Sequence, residues 1–448
     1  MIPLLAAQDL NPKEWLRTLD GVFALVYVDT TKQTLLVARD PYGVRPLFEA
    51  QFPDGSTIWS SEIKAVPKGY SILKPFVPGT WAEYCLSSGT LINQGTYHTI
   101  PHVKLAGFSF PSNGPYAREA LRESVVTAVK KRLLSDRPIG ALLSGGLDSS
   151  LIAAIAAREL KKTGQRLNTF SIGMPGSTDL VYARLVAQHI RSKHHEIMVT
   201  PEDFLAAIPD VVKATESYDI TTIRASVGNW LLGKYIKEKT DIKVVFNGDG
   251  SDEIGGGYLY FYAAPSDEEF EAESERLLQD IHMFDVLRSD RSMAAHGLEA
   301  RTPFLDKNVV ATWRAIDTQW RKPRKNNAEG RGAQMEKSVL RDAFAKDHLL
   351  PIDVLMRKKE AFSDGVSSTT DSWYLRAADY AKETQTTKTE KTYEHNPPKT
   401  AEAKWYRDLF VQNYGDEAAR VIPYMWLPKW VAGATDPSAR TLKDLYST

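Results

Sequence analysis

IGALLSGGLDSSLIAAIAAREL, residues 139–160, spells a strand, a loop and a helix in succession. Ile139 to Leu143 is an unbroken apolar run, as expected of a strand buried on both faces, and LIAAIAAREL reads as an apolar helix. Between them lies Ser144-Gly145-Gly146-Leu147-Asp148-Ser149-Ser150. Its two glycines let the backbone approach a ligand closely, its serines bring hydrogen-bond donors, and the helix start presents unpaired N–H groups at the positive end of its dipole. The segment therefore reads as an anion cradle, against the plainer reading of a turn capped by Asp148 or Ser149. It lacks the lysine of a GxxxxGK[ST] loop, and no such loop occurs elsewhere in the chain.

Working outward, Leu121, Val125, Val129 and Leu133 share one helical face ahead of this strand. Further strands are expected at Leu167 to Ile172, Glu196 to Val199 and Ile242 to Phe246, separated by helical segments such as Leu180, Ala183, Ala187 and Ile190. That alternation predicts an α/β fold with a doubly wound parallel sheet, and ligands at the C-terminal ends of its strands. Beyond about Asp267 the pattern is mostly helical, with a Thr/Lys-rich loop from Thr384 to Lys399 and a mobile tail, GATDPSARTLKDLYST. Residues 12 to 95 instead alternate short apolar runs with turn residues and read as β-rich. The polar stretch from Gln94 to Pro115 reads as a linker, which gives two domains, 1–105 and 106–448.

The bulk properties narrow the partners. Fifty-six basic and 56 acidic residues cancel, so no general attraction to nucleic acid or anionic lipid is expected. The basic stretch RKPRKNN from Arg321 reads as a solvated loop rather than a nucleic-acid patch. No run of about 18 apolar residues occurs, and the single cysteine, Cys85, has no partner for a disulfide or thiolate cluster. A soluble, cytoplasmic protein without membrane contact is the expectation. His194 and His195, adjacent on a strand, point to opposite faces and are poorly placed to share a metal.

The heptad in its strand–loop–helix setting resembles the pyrophosphate loop of the N-type ATP pyrophosphatases. The chain as a whole resembles the asparagine synthetases that carry an amidotransferase domain, through blocks in family order: Arg39-Asp40-Pro41-Tyr42-Gly43, Ser61-Glu62-Ile63-Lys64-Ala65, LLSGGLDSS, FSIGMPGSTDL, HHEI, TTIRAS, GDGSDEIGGGYLYF, EARTPFLDK, MEKSVLR and RKKEAFSDGV. The resemblance implies activation of aspartate by ATP to a β-aspartyl adenylate, release of pyrophosphate, and displacement of AMP by ammonia. A helical C-terminal part, a partial N-terminal domain of the Ntn-hydrolase kind and a homodimer are also implied.

Carried over by the resemblance, the backbone around Leu143 and Ile172 grips adenine and ribose, and Asn247-Gly248 closes over the nucleotide. Ser144, Gly145, Gly146 and Ser149 cradle the phosphates, while Asp148 and Asp252 hold Mg²⁺ against the departing pyrophosphate, where a hard cation neutralises developing charge. Lys337 stabilises charge as the carboxylate attacks phosphorus. Lys359 is a second cation near the phosphates, Arg224 contacts pyrophosphate or substrate, and Thr221, Thr222, Ser363 and Asp364 line the aspartate pocket.

Two departures stand out. Asp249 replaces the glutamate usual in the family, which shortens its reach by about 1.5 Å where catalytic geometry is sensitive to about an ångström. The N-terminal region resembles only the second half of the glutaminase domain, whose nucleophile is a cysteine directly after the initiator methionine; here residue 2 is Ile and Cys85 is internal. Ammonia is therefore the expected nitrogen source, unless a separate glutaminase partner or another start completes the domain. The alternatives are a β-lactam-synthetase-like ligase and an inactive regulatory or assembly homologue. TTIRAS and FSDGV favour aspartate over the first, and retention of Asp148, Asp252 and Lys337 argues against the second.

Overall fold

The computed structural model of the chain describes residues 11–101, 115–325, 332–385 and 391–445. Its centre is a five-stranded parallel sheet formed by β8 (Ile139–Leu142), β9 (Asn168–Gly173), β10 (Lys193–Met198), β11 (Val244–Phe246) and β12 (Glu299–Arg301). Their order is β10-β9-β8-β11-β12. Four of these strands were expected within a few residues; β12, only three residues long, carries no alternation to read. Strand order reverses beside β8, so the cradle after Leu142 opens at the switch point of the sheet.

Both faces of the sheet are covered. On one, Leu121, Val125 and Val129 of the helix Pro115–Lys131 pack with Leu151 and Ile155 of the helix Leu147–Lys161, and with Ala183 and Ala187 of the helix Thr178–His189. On the other, Phe170 and Ile172 meet Phe204, Ile208, Ile223 and Val227 from the helices Pro201–Thr215 and Ile220–Lys239. Leu133 lies beyond its helix and is partly buried.

The N-terminal part is two antiparallel sheets. One runs β1 (Ala24–Asp29), β2 (Thr34–Arg39), β6 (Thr80–Cys85), β7 (Leu91–Thr96); the other pairs β3 (Phe48–Gln51) with β4 (Thr57–Ser60) and β5 (Ile72–Pro75). The β-rich stretch opens with a helix, Pro12–Thr18, because Asn11 accepts from the Lys13 N–H (2.9 Å) and Trp15 and Leu16 bury against the first sheet. The expected linker is strand as far as Thr96, and the boundary at residue 105 lies outside the described residues.

Three other expectations are corrected. Arg321, read as part of a solvated loop, is buried on Glu271 and the Ile316 carbonyl, and Arg324 donates to Gln334 (2.8 Å). Thr384, expected to open a loop, belongs to the helix Trp373–Gln385; residues 386–390 lie outside the described set, and 391–399 form neither helix nor strand. The tail is held by ion pairs rather than free: Asp436 pairs with Arg224 and Arg440 with Glu360, at 2.8 Å each. No helix among the described residues is long and apolar enough to cross a membrane.

Charge joins the N-terminal strands to the rest. Glu216, a non-glycine residue in the left-handed region (φ 55°) at the end of the helix Pro201–Thr215, accepts from the Ile63 and Lys64 amides (both 2.9 Å) and from Arg291 (2.9 Å), which also reaches Glu62 (3.1 Å). Arg39 donates to the carbonyls of Phe76 (2.8 Å) and Gly43 (2.9 Å) and stands 3.3 Å from His282 Nδ1. Burial, reinforced by Arg39, holds His282 well below its usual pKa, so the ring is a neutral acceptor. Glu216→Ala removes three acceptor contacts at once and leaves the buried Arg291 only the half-exposed Glu62 as a carboxylate partner; a loss of about 3–5 kcal/mol in urea denaturation is expected, against less than about 1 kcal/mol for the exposed Lys74→Ala.

Candidate active site

The loop after β8 is shaped by its own serines. Ser144 N–H donates to Ser149 Oγ (3.3 Å), the two hydroxyls lie 3.0 Å apart, and Gly146 N–H donates to Ser144 Oγ (3.3 Å). Gly145 has φ +73°, and a Cβ there would stand 2.4 Å from the Ala183 nitrogen, so this glycine seats the loop against the neighbouring helix. A Cβ on Gly248 would stand 2.7 Å from the Ser149 nitrogen. The loops after β8 and β11 therefore meet backbone to backbone.

A cleft opens between them. Of the residues expected at the site, Leu143, Ser144, Gly146, Asp148, Ser149, Ile172, Asn247, Gly248, Asp249, Asp252, Lys337, Lys359, Thr221 and Ser363 line it. Its apolar end is made by Phe170, Ile172, Ala225 and Leu232, its charged end by Asp148, Asp252, Lys337 and Lys359.

The charged end centres on Lys337. Its ammonium donates to Asp148 Oδ2 (2.6 Å), Asp252 Oδ1 (2.7 Å) and Ser251 Oγ (3.2 Å), and Lys359 donates to Asp252 Oδ2 (2.6 Å). Lys337 is 2% exposed and takes φ 54° ahead of the helix Ser338–Phe344, so it is a junction residue and not one of a solvated helical face. Burial alone would favour the neutral form of Asp252; Lys337 and Lys359 outweigh it and hold the carboxyl well below the usual carboxylate range. Lys359 is raised in return, burial being overcome by Asp252 and Asp148. A Cβ on Gly257 would lie 2.1 Å from Asp252 Oδ1 and 2.6 Å from Lys337 Cε, so this glycine makes room for the ion pair.

Asp249 faces a second group. Its Oδ1 lies 3.5 Å from Arg288, which also pairs with Asp285; Tyr258 donates to Asp285 (3.1 Å) and Glu253 (2.5 Å). Burial raises the Asp249 pKa above the usual carboxylate value, with Arg288 opposing. Asp285, Arg288, Tyr258, Arg357 and Glu360 line the cleft and were not anticipated. The i, i+3 spacing of Asp285 and Arg288 was visible, but such a pair on a helix reads as surface charge.

Four expected residues stand outside the lining. Arg224 is buried with its guanidinium on Glu402 (2.8 and 2.6 Å) and Asp436 (2.8 Å twice), which leaves it no free face toward a ligand. Asp364 accepts from Ser438 Oγ (2.7 Å) and the Ala439 amide (3.1 Å), and Thr222 is bonded to Asp219. Gly145 packs outward, as described.

The cleft has buried polar atoms without partners: Asp148 Oδ1, Asn247 Nδ2, Thr221 Oγ1 and Arg288 Nε. Such atoms are costly unless a ligand satisfies them. An all-oxygen donor set on Asp148 and Asp252, one oxygen of it orphaned, fits a hard divalent cation that completes its shell from phosphate and water.

Comparison with known proteins agrees with this geometry. A family model described as asparagine synthase matches residues 120–273 and 263–420, and a glutamine amidotransferase domain matches residues 4–109. The asparagine synthetase (glutamine-hydrolyzing) of Gallus gallus is 42% identical over 447 residues, covering 95% of this chain and 78% of the relative. That of Homo sapiens is 41% identical over 450 residues, with the same coverage. The chain belongs to the asparagine synthetase family, whose activity is ATP-dependent synthesis of asparagine.

Beside the cradle, burial pushes the Asp179 carboxyl up to about 7, although Arg357 (2.8 Å) opposes the shift. A raised folded-state pKa means that the stability contributed is full below the ordinary value of 3.8 and is lost as pH rises toward 7. Asp179→Asn, which cannot ionise, should therefore gain melting temperature relative to the unsubstituted protein between pH 4 and pH 7; a constant difference across that window would contradict it.

Proposed function

We propose that this chain makes asparagine from aspartate, ATP and ammonia through a β-aspartyl adenylate. The observation that supports it most directly is the Lys337 ammonium seated between Asp148 and Asp252 at the mouth of the serine-glycine loop, with Lys359 on the second carboxylate. On this reading the adenine lies toward Phe170 and Leu232, and the phosphates lie on the loop from Ser144 to Ser149. An oxygen of the substrate β-carboxylate attacks the α-phosphorus, the bond from phosphorus to the β-phosphate oxygen breaks, and pyrophosphate leaves. Lys337 and Lys359 stabilise the charge that builds on the transferring and departing oxygens, in a site where donors are fixed before the reaction begins.

Asp148 and Asp252 would hold Mg²⁺, which supplies charge neutralisation on the pyrophosphate when bound. Aspartate carboxylate is assigned to Arg288, whose Nε lacks a partner, with Thr221 and Ser363 on the neighbouring wall. Asp249, raised by burial, accepts a proton from the incoming nitrogen as it bonds to the acyl carbon and AMP departs.

Ammonia is the nitrogen donor proposed for these 448 residues. Their one cysteine, Cys85, ends β6 with its amide donating to the Thr90 carbonyl (2.8 Å), so its nitrogen belongs to a peptide bond and offers no base of its own.

The test supplies ATP, Mg²⁺ and aspartate with ammonium, with glutamine or with neither, and resolves AMP and pyrophosphate from ADP and orthophosphate. Ammonium-dependent asparagine with AMP is expected; ADP formation sinks the scheme, and asparagine made from glutamine alone sinks the choice of donor. Lys337→Met removes the cation that bridges Asp148 and Asp252 and leaves Lys359 on Asp252 alone, and pyrophosphate release should fall by at least about 10²-fold. Asp249→Glu should restore the missing methylene of reach toward the substrate and raise kcat/KM several-fold; an unchanged or lower value counts against a deficit of reach.

A further inference from the structure

The C-terminal segment reaches the wall of the cleft. Ser438 Oγ and the Ala439 amide donate to Asp364, and Asp436 closes on Arg224. Arg440 goes further in. Its side chain is 8% exposed, with Nη2 on Glu360 Oε1 (2.8 Å) and the Ser367 carbonyl (3.1 Å), and Nη1 on Ser372 Oγ (2.7 Å).

Glu360 passes this contact on. Its other oxygen, Oε2, accepts from Thr178 Oγ1 (2.6 Å) and from Arg357 Nη2 (3.0 Å). The same Nη2 donates to Asp179 Oδ1 (2.8 Å), and the guanidinium lies 4.2 Å over the Tyr182 ring. Arg357 is thus fixed from three sides, and Nη1 points along the cradle toward the Ser144 carbonyl at 3.4 Å, too long for a strong bond. A guanidinium carries five N–H donors, and the two short bonds here both use Nη2. Arg357 therefore keeps donors for an anion resting on Ser144 and Gly146, beside which it lines the cleft.

We propose that Arg440 is a positioning residue for the phosphate end of the cleft, acting through Glu360 to aim Arg357 at the β,γ-phosphates and the departing pyrophosphate. The proposal rests on the reading of the cleft as a nucleotide site. A plain staple for the chain end would also use Arg440, but it has no reason to discriminate between ligands. Positioning of Arg357 affects whatever carries phosphate and spares what does not.

Calorimetry on the full chain with two probes, magnesium pyrophosphate and adenosine, separates the two. Arg440→Ala should weaken pyrophosphate binding about tenfold and leave adenosine binding within about twofold, since one charge-assisted link to the phosphate ligand is lost. KM for ATP should rise with it while kcat falls less, and Arg440→Lys should recover part of the loss. Lys429→Ala, on an exposed pair with Glu269 in the same segment, should change neither ligand. Equal loss of both ligands, or none, overturns the proposal. Glu360→Gln weakens the same link from the cleft side and must show the same selectivity, which covers the case of an Arg440 variant that does not fold. Binding of pyrophosphate without AMP formation would remove the proposed reaction and leave the role of Arg440 standing; no pyrophosphate binding by the unsubstituted protein would remove both.

Discussion

The Lys337 ammonium between two carboxylates is the constraint around which the cleft is built. Asp148 comes from the first turn of the helix after β8, Asp252 from the short helix Ser251–Gly255 after β11, and Lys337 from a junction 85 residues further on. No two of them are neighbours in sequence. Gly255 and Gly257 keep the space open beside the lysine stem, where a Cβ would press on Trp313 at 2.5 Å and on Asp252 Oδ1 at 2.1 Å. A buried ammonium is costly unless its hydrogens are all satisfied, and here three oxygen partners take them. The centre is therefore held in place by its own charges, with no ammonium hydrogen of Lys337 left without an oxygen.

Charge plays a different part at the seam with the N-terminal sheets. Glu216 is shared by two backbone amides and Arg291, while Arg39 is spent on carbonyls and a neutral histidine. Such a seam depends on complementary geometry more than on apolar area, because a buried charge without its partner is penalised heavily. It fixes the register between sheet and synthetase part, and it shares a helix with the cleft, since Arg291 lies three residues beyond Arg288 on the helix Asp285–Ala294. The amidotransferase-type sheets thus form an integral layer of this fold, whatever their own chemistry.

The parts legible in the sequence are those whose cause is local. Apolar runs placed four of the five parallel strands, and two glycines with two serines at a strand–helix junction placed the cradle. Lys337 was reached only by resemblance, since a lysine in MEKSVLR carries no local mark of burial. Arg224 shows the limit of that route: it sits in the block TTIRAS that carries the resemblance, but Glu402 and Asp436, which occupy its guanidinium, lie 178 and 212 residues away. Asp285 and Arg288 were missed because DVLRSDRS has the composition of an exposed helix, although burial raises the stakes of each charge there. The tail was read as mobile from its Gly, Asp, Pro and Ser content, and composition says nothing about Arg440 finding Glu360.

These long-range closures bear on how the cleft behaves as a unit. Bringing residues 144, 252, 337, 360 and 440 together closes loops of tens to nearly three hundred residues, and each doubling of such a loop adds only about 0.6 kcal/mol of entropic cost. Distance in sequence is therefore a weak penalty; what matters is whether the closing contact is strong enough to hold a mobile segment. The cradle rests on the buried sheet and should open only when the sheet does. The wall from Arg357 to Asp364 has no strand beneath it, and side-chain bonds to Asp179, Thr178, Ser438 and Arg440 hold it in place. The floor of the cleft is thus tied to the sheet, whereas the wall depends on side-chain contacts alone and is the side expected to open first in any local unfolding.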